Sequence, residues 1–300
     1  MHKERENTMA NKAQIDKYNL TLLKKLSIFL NVEPNYIKAD MVKTVCRECD
    51  MSESEAYSFL LASAIYLDVA ENEHDRELFE LYFPHMIRQL DADKYSNDPY
   101  MKKIKVPILQ DGAWELCERK YEPYEAFACD DLKYFTDGRV VAQIGFFNKE
   151  YRYPCVCHMG REWMLITPNE INTMKAPIEK SHGKVLTFGL GLGYFAFMAA
   201  EKQSVESVTV VECDEKVISI FKSYILPQMP CRDKMRIVHA DAYEYAENEM
   251  ENGGYDFVFC DIWHDPSDGV EAYKRLKEYE KLLPNAEFEY WIEQTMKYYM

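Results

Sequence analysis

The pattern of apolar and polar positions divides the chain into a helical first part and a later part in which strands and helices alternate. Leucines at helical spacing predict a helix over about residues 15–30. Ser52 followed by Glu55 is a capping box that opens a second helix. A third helix is expected over about residues 73–83. These patterns indicate a helical N-terminal domain over residues 1–125.

A β-rich connecting segment is expected over residues 126–180. Apolar runs on either side of Asp137-Gly138 predict a hairpin. Near the end of the segment, Thr167-Pro168-Asn169-Glu170 combines a capping threonine, a proline at the first helical position and a glutamate three residues after the cap. We expect one lead-in helix from there to the end of the segment.

Regular alternation of apolar strands and amphipathic helices fills residues 181–300. The five predicted strands cover residues 185–188, 208–212, 235–239, 255–261 and 286–292. Repeated strand-helix alternation produces a parallel sheet with helices on both faces. The predicted fold class is therefore α/β: a Rossmann-like, doubly wound parallel sheet preceded by the helical domain and the small β segment.

A glycine-rich loop follows the first of these strands and leads into a helix. Its sequence is Phe188-Gly189-Leu190-Gly191-Leu192-Gly193. Glycines at this point allow a tight turn and a close approach of the backbone to a ligand. The dinucleotide-binding pattern would place its third glycine where Tyr194 stands. The spacing of the glycines instead resembles that of S-adenosylmethionine-binding proteins. The alternative interpretation of the loop is a tight turn between strand and helix that binds no ligand.

Carboxylates stand at the ends of the next two strands. Glu212 ends the second strand, where its side chain can accept hydrogen bonds from both hydroxyls of a ribose. Asp214 is the better cap for the helix after that strand. Asp241, after the third strand, can bind the exocyclic amine of adenine or cap the next helix, and the sequence leaves both roles open.

The loop after the fourth strand concentrates groups that suit catalysis. It carries Asp261, Trp263, His264 and Asp265 and ends at Pro266. The end of this strand adjoins the first strand at the topological switch point of such a sheet, where reacting groups belong. A plain polar turn is the alternative.

Together these motifs resemble the class I S-adenosylmethionine-dependent methyltransferases, with the spermidine synthase-like branch most similar. Residues 211–218, 224–227 and 255–261 carry the resemblance to that branch. The resemblance implies S-adenosyl-L-methionine as the cofactor. The residues it assigns to cofactor binding are Gly189, Leu190, Gly191, Gly193, Glu212, Cys213, Asp241, Ala242 and Asp261.

The chain also departs from the pattern of this branch. Spermidine synthases carry an aspartate where Leu192 stands, and that aspartate helps to hold the aminopropyl amine. Their Asp-x-x-Asp-Pro motif is one residue longer here, over residues 261–266. Little chain comes after the predicted fifth strand, so we expect the final helix of the class to be missing.

The resemblance and the loop chemistry together predict a methyltransferase that acts on a nitrogen or oxygen of a small molecule. Asp261 and His264 are the candidate catalytic groups, because either can take a proton from an acceptor. Trp263, Asp265 and Tyr194 are the candidate substrate-binding residues. The alternatives are an aminopropyltransferase that uses decarboxylated S-adenosylmethionine, against which Leu192 argues, and a subunit that binds S-adenosylmethionine without catalysis.

Charge, hydropathy and cysteine content bear on the partners, the location and the metal binding of the protein. The formal net charge of -15 disfavours nucleic acid as a partner. No apolar run suits a membrane span, so we expect a cytoplasmic protein, with a homodimer left open. The nine cysteines are expected to be free thiols. Cys46 and Cys49 with Cys155, Cys157 and His158 offer zinc ligands, but a helix is predicted around the first pair, so no metal is assigned.

Overall fold

The computed structural model describes the backbone of residues 2–300 and the side chains of residues 12–300. The chain forms two compact units, and each is built from two stretches of sequence. Unit 1 comprises Met1–Ala92 and Lys120–Tyr151, and unit 2 comprises Asp93–Arg119 and Arg152–Met300. The three domains predicted from the sequence, with boundaries after residues 125 and 180, are a separate division of the chain and stay a prediction.

The helices and strands succeed one another along the chain with short connections. The helices are α1 (His2–Val32), α2 (Ala39–Cys49), α3 (Glu53–Ala64), α4 (Glu73–Met86), α5 (Ala92–Ser96), α6 (Pro99–Lys103), α7 (Pro168–Thr173), α8 (Lys175–Lys180), α9 (Tyr194–Ala200), α10 (Glu215–Ile220), α11 (Ala242–Asn248), α12 (Met250–Gly253), α13 (Pro266–Lys277) and α14 (Glu293–Tyr299). The strands are β1 (Ile87–Gln89), β2 (Leu109–Asp111), β3 (Trp114–Tyr121), β4 (Phe127–Tyr134), β5 (Val140–Phe146), β6 (Tyr151–His158), β7 (Arg161–Leu165), β8 (Gly183–Phe188), β9 (Val205–Glu212), β10 (Met235–His239), β11 (Phe257–Cys260) and β12 (Glu287–Tyr290).

Unit 1 packs α1 to α4 with a three-stranded sheet in the order β1-β5-β4. The predicted hairpin is confirmed by the antiparallel pairing of β4 with β5. The predicted capping box is also confirmed: Ser52 accepts from the backbone N–H of Glu55, whose carboxylate accepts from the N–H of Ser52 at 2.9 Å. The core of the unit is aromatic, with the rings of Tyr57 and Phe146 stacked at a centroid distance of 3.9 Å.

Unit 2 contains a five-stranded parallel sheet in the order β10-β9-β8-β11-β12. The predicted Rossmann-like doubly wound sheet is therefore confirmed. Its strand order reverses between β8 and β11, the two strands that bracket the switch point. Phe188 at the end of β8 pairs with Cys260 on one side and Val211 on the other. This register brings the glycine loop and the ends of both neighbouring strands to one edge.

The lead-in helix is two helices rather than the one predicted, because α7 ends at Thr173 and α8 begins at Lys175. Pro177 has no amide hydrogen to donate, and its ring conflicts with a helical carbonyl at Thr173, four residues earlier. The expectation that no helix comes after the fifth strand is wrong, since α14 lies beyond β12. Within the residues that the structure describes, no helix has the length and apolar character of a membrane span.

A second sheet of unit 2 has four strands in the order β2-β3-β6-β7. Its outer pairs, β2 with β3 and β6 with β7, are antiparallel. The main core of the unit includes side chains of this sheet such as Trp114 and Val156 together with the parallel strands. The two sheets therefore share one core.

Candidate functional site

The glycine loop begins where β8 ends and leads directly into α9. Gly189, Gly191 and Gly193 have φ values of +96°, +52° and +75°, which residues other than glycine rarely adopt. A Cβ atom at Gly189 would lie 1.9 Å from the carbonyl oxygen of Asp261, and one at Gly193 would lie 2.3 Å from the ring of Phe221. Among the described residues nothing lies within 4 Å of a Cβ at Gly191. The loop is packed at both ends and open in the middle.

Glu212, the last residue of β9, connects the glycine loop to the neighbouring strand. Its Oε2 accepts from the backbone N–H of Leu190 at 3.1 Å, and its Oε1 accepts from the N–H of Asp214 at 2.9 Å. The exposed thiol of Cys213 lies 3.6 Å from Oε1. Since each carboxylate oxygen has two lone pairs, Oε2 retains capacity for one further donor, whereas Oε1 already accepts from the N–H of Asp214 and the thiol of Cys213. The ribose-binding role stays a prediction that this geometry permits.

Asp241 lies after β10 and caps α11. Its Oδ1 accepts from the N–H groups of Tyr243 at 2.8 Å and Glu244 at 3.0 Å. Ala242, the first residue of the helix, is buried. Of the two roles that the sequence left open, capping is therefore present. Both capping bonds use one oxygen, so Oδ2 remains for the predicted contact with an adenine amine.

Asp261 comes directly after β11 and faces the groups at the switch point. Its backbone N–H donates to the carbonyl of Phe188 at 2.9 Å, which holds it beside the glycine loop. Burial, together with the negative charge of Glu212, raises the pKa of Asp261 to about 7. A carboxyl group with this pKa exchanges a proton near neutral pH, as a general base must.

A second carboxyl group, that of Glu170, lies close enough to Asp261 for the two to interact. Burial, and after it the charge of Asp261, raises the pKa of Glu170 well above its usual range. The two groups resist simultaneous ionisation, because neither is fully solvated and their charges repel. Glu170, Asp261 and Glu212 thus form a group of three acidic side chains, which we call the acidic triad.

The loop between β11 and α13 carries the other residues that the sequence singled out. Trp263 is buried, and its indole Nε1 has no hydrogen-bond partner among the described residues. His264 is exposed; its Nδ1 lies 3.0 Å from a carboxylate oxygen of Asp268, and its ring meets that of Trp163 edge-on at 4.5 Å. Asp265 caps α13. The substrate-binding and catalytic roles of these residues stay predictions.

The segment before α9 is covered by α6 and its capping residue. Leu192 is buried, and its carbonyl oxygen accepts from the hydroxyl of Tyr100 at 2.6 Å. The hydroxyl of Tyr194 donates to Asp98 at 3.0 Å. Burial raises the pKa of Asp98 above its usual range. The site therefore has an apolar side chain at position 192 and a tyrosine held by a carboxylate at position 194.

Sequence reasoning missed Glu170 as a member of the site. Its position three residues after Thr167 indicated the second half of a capping box, and Thr167 does accept from the backbone N–H of Glu170 at 3.5 Å. The carboxyl group of Glu170, however, interacts with Asp261. The only local signal was a glutamate at the start of a helix that leads into β8, and helix capping accounts for it equally well.

The arrangement has the parts needed to bind a cationic nucleoside and to accept a proton. The open glycine loop allows a ligand to approach the backbone, Oδ2 of Asp241 is a free acceptor, and Oε2 of Glu212 retains one lone pair. The acidic triad favours a positively charged ligand, because a nearby cation offsets the repulsion among the three carboxyl groups.

Part of unit 2 resembles a known protein family. Residues 168–283, less than half of the chain, match the family described as "Spermine/spermidine synthase domain". No curated protein matches the chain. Solved structures that resemble the chain include the following three, all at low identity. A conserved hypothetical protein of Streptococcus pyogenes is 19% identical over 33% of this chain and 61% of its own, with a TM-score of 0.27.

The other two have named activities. An O-methyltransferase from Bacillus cereus in complex with SAH is 20% identical over 32% of this chain and 44% of its own, with a TM-score of 0.26. A spermidine synthase from Thermotoga maritima is 19% identical over 53% of this chain and 60% of its own, with a TM-score of 0.32. The chain therefore covers less than two thirds of each structure. The five-stranded parallel sheet of unit 2 has a Rossmann-like strand order.

Proposed function

We propose that unit 2 is a transferase that moves the aminopropyl group of decarboxylated S-adenosylmethionine to the amine of a small molecule. The observation that carries the proposal is the meeting of acidic strand ends with the glycine loop at the switch point, where Glu212 accepts from the N–H of Leu190 and the N–H of Asp261 donates to the carbonyl of Phe188. The raised pKa values of Glu170 and Asp261 agree with it. The match of residues 168–283 to the spermine/spermidine synthase family supports it.

The donor would bind along the edge of the parallel sheet. Its ribose hydroxyls would donate to Glu212, whose Oε2 retains one free lone pair and whose Oε1 would exchange the thiol of the exposed Cys213 for a hydroxyl. Its adenine amine would donate to Oδ2 of Asp241, the oxygen that the helix cap does not use. The backbone at Gly191, which is open on its Cα side, would lie against the nucleoside. This arrangement directs the sulfonium towards Asp261 at the switch point.

Charge favours the decarboxylated donor over S-adenosylmethionine itself. The decarboxylated donor carries a sulfonium and an ammonium and no carboxylate, whereas S-adenosylmethionine keeps its carboxylate. The charged groups that raise the pKa values of Asp261 and Glu170 are both acidic. A carboxylate placed among them would add repulsion, while a second cation would relieve it.

The chemistry needs one nucleophile and one base. The neutral amine of the acceptor attacks the aminopropyl methylene carbon that is bonded to the sulfonium. The bond between this carbon and sulfur breaks, and its electron pair goes to sulfur. Methylthioadenosine leaves as a neutral thioether, and the new secondary ammonium loses one proton. The carboxylate of Asp261 takes that proton or takes it earlier from the incoming ammonium, for which a pKa of about 7 is well suited.

Transfer of a methyl group is the second candidate, and Leu192 favours it. A buried leucine stands at this position, and its apolar side chain has no carboxylate to hold an aminopropyl ammonium. In this case S-adenosylmethionine is the donor, S-adenosylhomocysteine is the product and Asp261 has the same role as base. The acceptor would again be a small molecule.

The test is turnover with each donor against a panel of small amines, with the nucleoside product identified by mass spectrometry. We expect methylthioadenosine with the decarboxylated donor, and about a hundredfold lower turnover in Asp261→Asn. S-adenosylhomocysteine alone would replace the proposal with the methyltransferase. Binding of either donor without turnover would favour a non-catalytic subunit.

A matched pair of variants at Glu212 separates donor binding from chemistry. Glu212→Ala should weaken donor affinity by at least about tenfold, because a hydrogen bond to a charged group is worth roughly 1.5–3 kcal/mol. Glu212→Gln keeps one acceptor oxygen and the side-chain shape, so it should lose less. Equal donor affinity in Glu212→Ala and the wild type would contradict the ribose-binding role.

A further inference from the structure

Three thiols converge on the four-stranded sheet of unit 2, and none of them is among the residues assigned to the transferase. Cys117 lies on β3, and Cys155 and Cys157 lie two residues apart on the neighbouring strand β6, where the pairing with β7 shifts register between Val156 and Cys157. The Sγ atom of Cys157 is 3.8 Å from that of Cys117 and 3.5 Å from that of Cys155. All three Sγ atoms lie within 4.8 Å of one another, and all three residues are buried.

These separations match those of thiolates around a single metal ion. Zinc binds cysteine sulfur at about 2.3 Å in tetrahedral geometry, so two sulfur ligands of one ion lie about 3.8 Å apart. A disulfide would need about 2.05 Å. The ordinary alternative is three neutral thiols joined by S–H···S hydrogen bonds at the same distances, and metal binding distinguishes the two.

A positive charge stands next to the cluster. A guanidinium N–H of Arg119 donates to Cys157 across 3.6 Å, and the same guanidinium lies 3.8 Å from the carboxylate of Glu162. Three thiolates around a divalent cation leave one net negative charge. Arg119 would offset that charge, which an apolar cluster of neutral thiols does not require.

We propose that Cys117, Cys155 and Cys157 bind a thiophilic divalent cation, Zn²⁺, as three thiolate ligands. The described side chains supply three ligands, which leaves the fourth tetrahedral position to a water molecule. The site joins β3, through which the chain leaves unit 2, to β6, through which it returns. Metal binding therefore stabilises unit 2 by linking two strands that are distant in sequence.

The experiment uses the full chain purified under reducing conditions without chelators. Its zinc content is measured by elemental mass spectrometry, and the protein freed of metal is titrated with Co²⁺, whose thiolate complexes absorb strongly. We expect one metal per chain, a thiolate-to-cobalt absorption band and its loss on addition of Zn²⁺. Cys117→Ser and Cys157→Ser should each weaken metal affinity by at least about a hundredfold, in line with the loss of a primary ligand.

Cys46 and Cys49 provide the matched control, since they are the spaced cysteine pair of unit 1. The double variant Cys46→Ser, Cys49→Ser should keep the metal and the absorption band. Should the Cys117 or Cys157 variant not fold, the wild-type titration and a rise in its thermal midpoint with Zn²⁺ still test the site. Absence of the band in the wild type, its loss only in the control variant, or a disulfide among the three cysteines would overturn the proposal.

Discussion

Replacing Asp261 with asparagine should stabilise unit 2 at neutral pH while it removes the base from the site. The neutral amide keeps the size of the side chain and does not ionise. In the wild type, burial and the charge of Glu212 raise the pKa of Asp261 from 3.8 to about 7. The folded protein therefore holds this proton more tightly than the unfolded chain does. Between those two pKa values, the free energy of unfolding falls as the pH rises, and above about pH 7 the loss is complete.

The pKa difference sets the size of the effect. Each pKa unit corresponds to about 1.4 kcal/mol, so the full cost of ionising Asp261 in the folded protein is about 4 kcal/mol. Between about pH 5 and about pH 8, the wild type should lose on the order of 3 kcal/mol relative to Asp261→Asn. Glu170→Gln should give a difference of the same sign, because the pKa of Glu170 is raised by burial and by Asp261.

Tryptophan fluorescence during urea unfolding is the suitable assay. All four tryptophans, Trp114, Trp163, Trp263 and Trp291, belong to unit 2, so the signal reports the unit that contains Asp261. The variant and wild type are compared at both pH values. Asp233→Asn is the control, because it removes a carboxylate that is exposed. A parallel loss of stability in Asp261→Asn and the wild type between the two pH values would refute the reasoning.

Two further predictions concern the cofactor edge of the sheet. Gly189→Ala should abolish donor binding and lower the thermal midpoint, because the new Cβ would lie 1.9 Å from the carbonyl oxygen of Asp261. Gly191→Ala should lower the thermal midpoint less, because no described atom lies within 4 Å of a Cβ at that position. Asp241→Ala should cost about 1 kcal/mol of stability through loss of the cap. Asp241→Asn should keep the cap and weaken donor affinity; unchanged calorimetric affinity in that variant would remove Asp241 from the adenine contact.

The fold class, and which strand ends meet at one edge of the sheet, can be inferred from local sequence patterns. Apolar runs separated by amphipathic helices predicted the parallel sheet, and the strand ends carry the glycine loop, Glu212 and Asp261. This inference succeeds because parallel strands bring their carboxyl ends to one edge. Residues that end successive strands are therefore neighbours in space whatever their separation along the chain.

Only the tertiary structure decided which other side chains reach that edge. Glu170 precedes β8, and the pattern around it indicates a helix cap; its meeting with Asp261 depends on where α7 packs. Thr173 and Lys175 likewise belong to two separate helices. Pro177 interrupts the stretch over which the sequence pattern predicted a single helix.

The cysteines show the same limit. Sequence spacing drew attention to Cys46 and Cys49 beside Cys155 and Cys157, yet the first pair lies on α2 in unit 1. The partner of the second pair is Cys117, which is brought to them because β3 and β6 are neighbours in one sheet. Spacing along a strand determines which residues share a face, since successive side chains alternate. Which residue of another strand stands opposite depends on strand order and register, and these are set by packing across the whole unit.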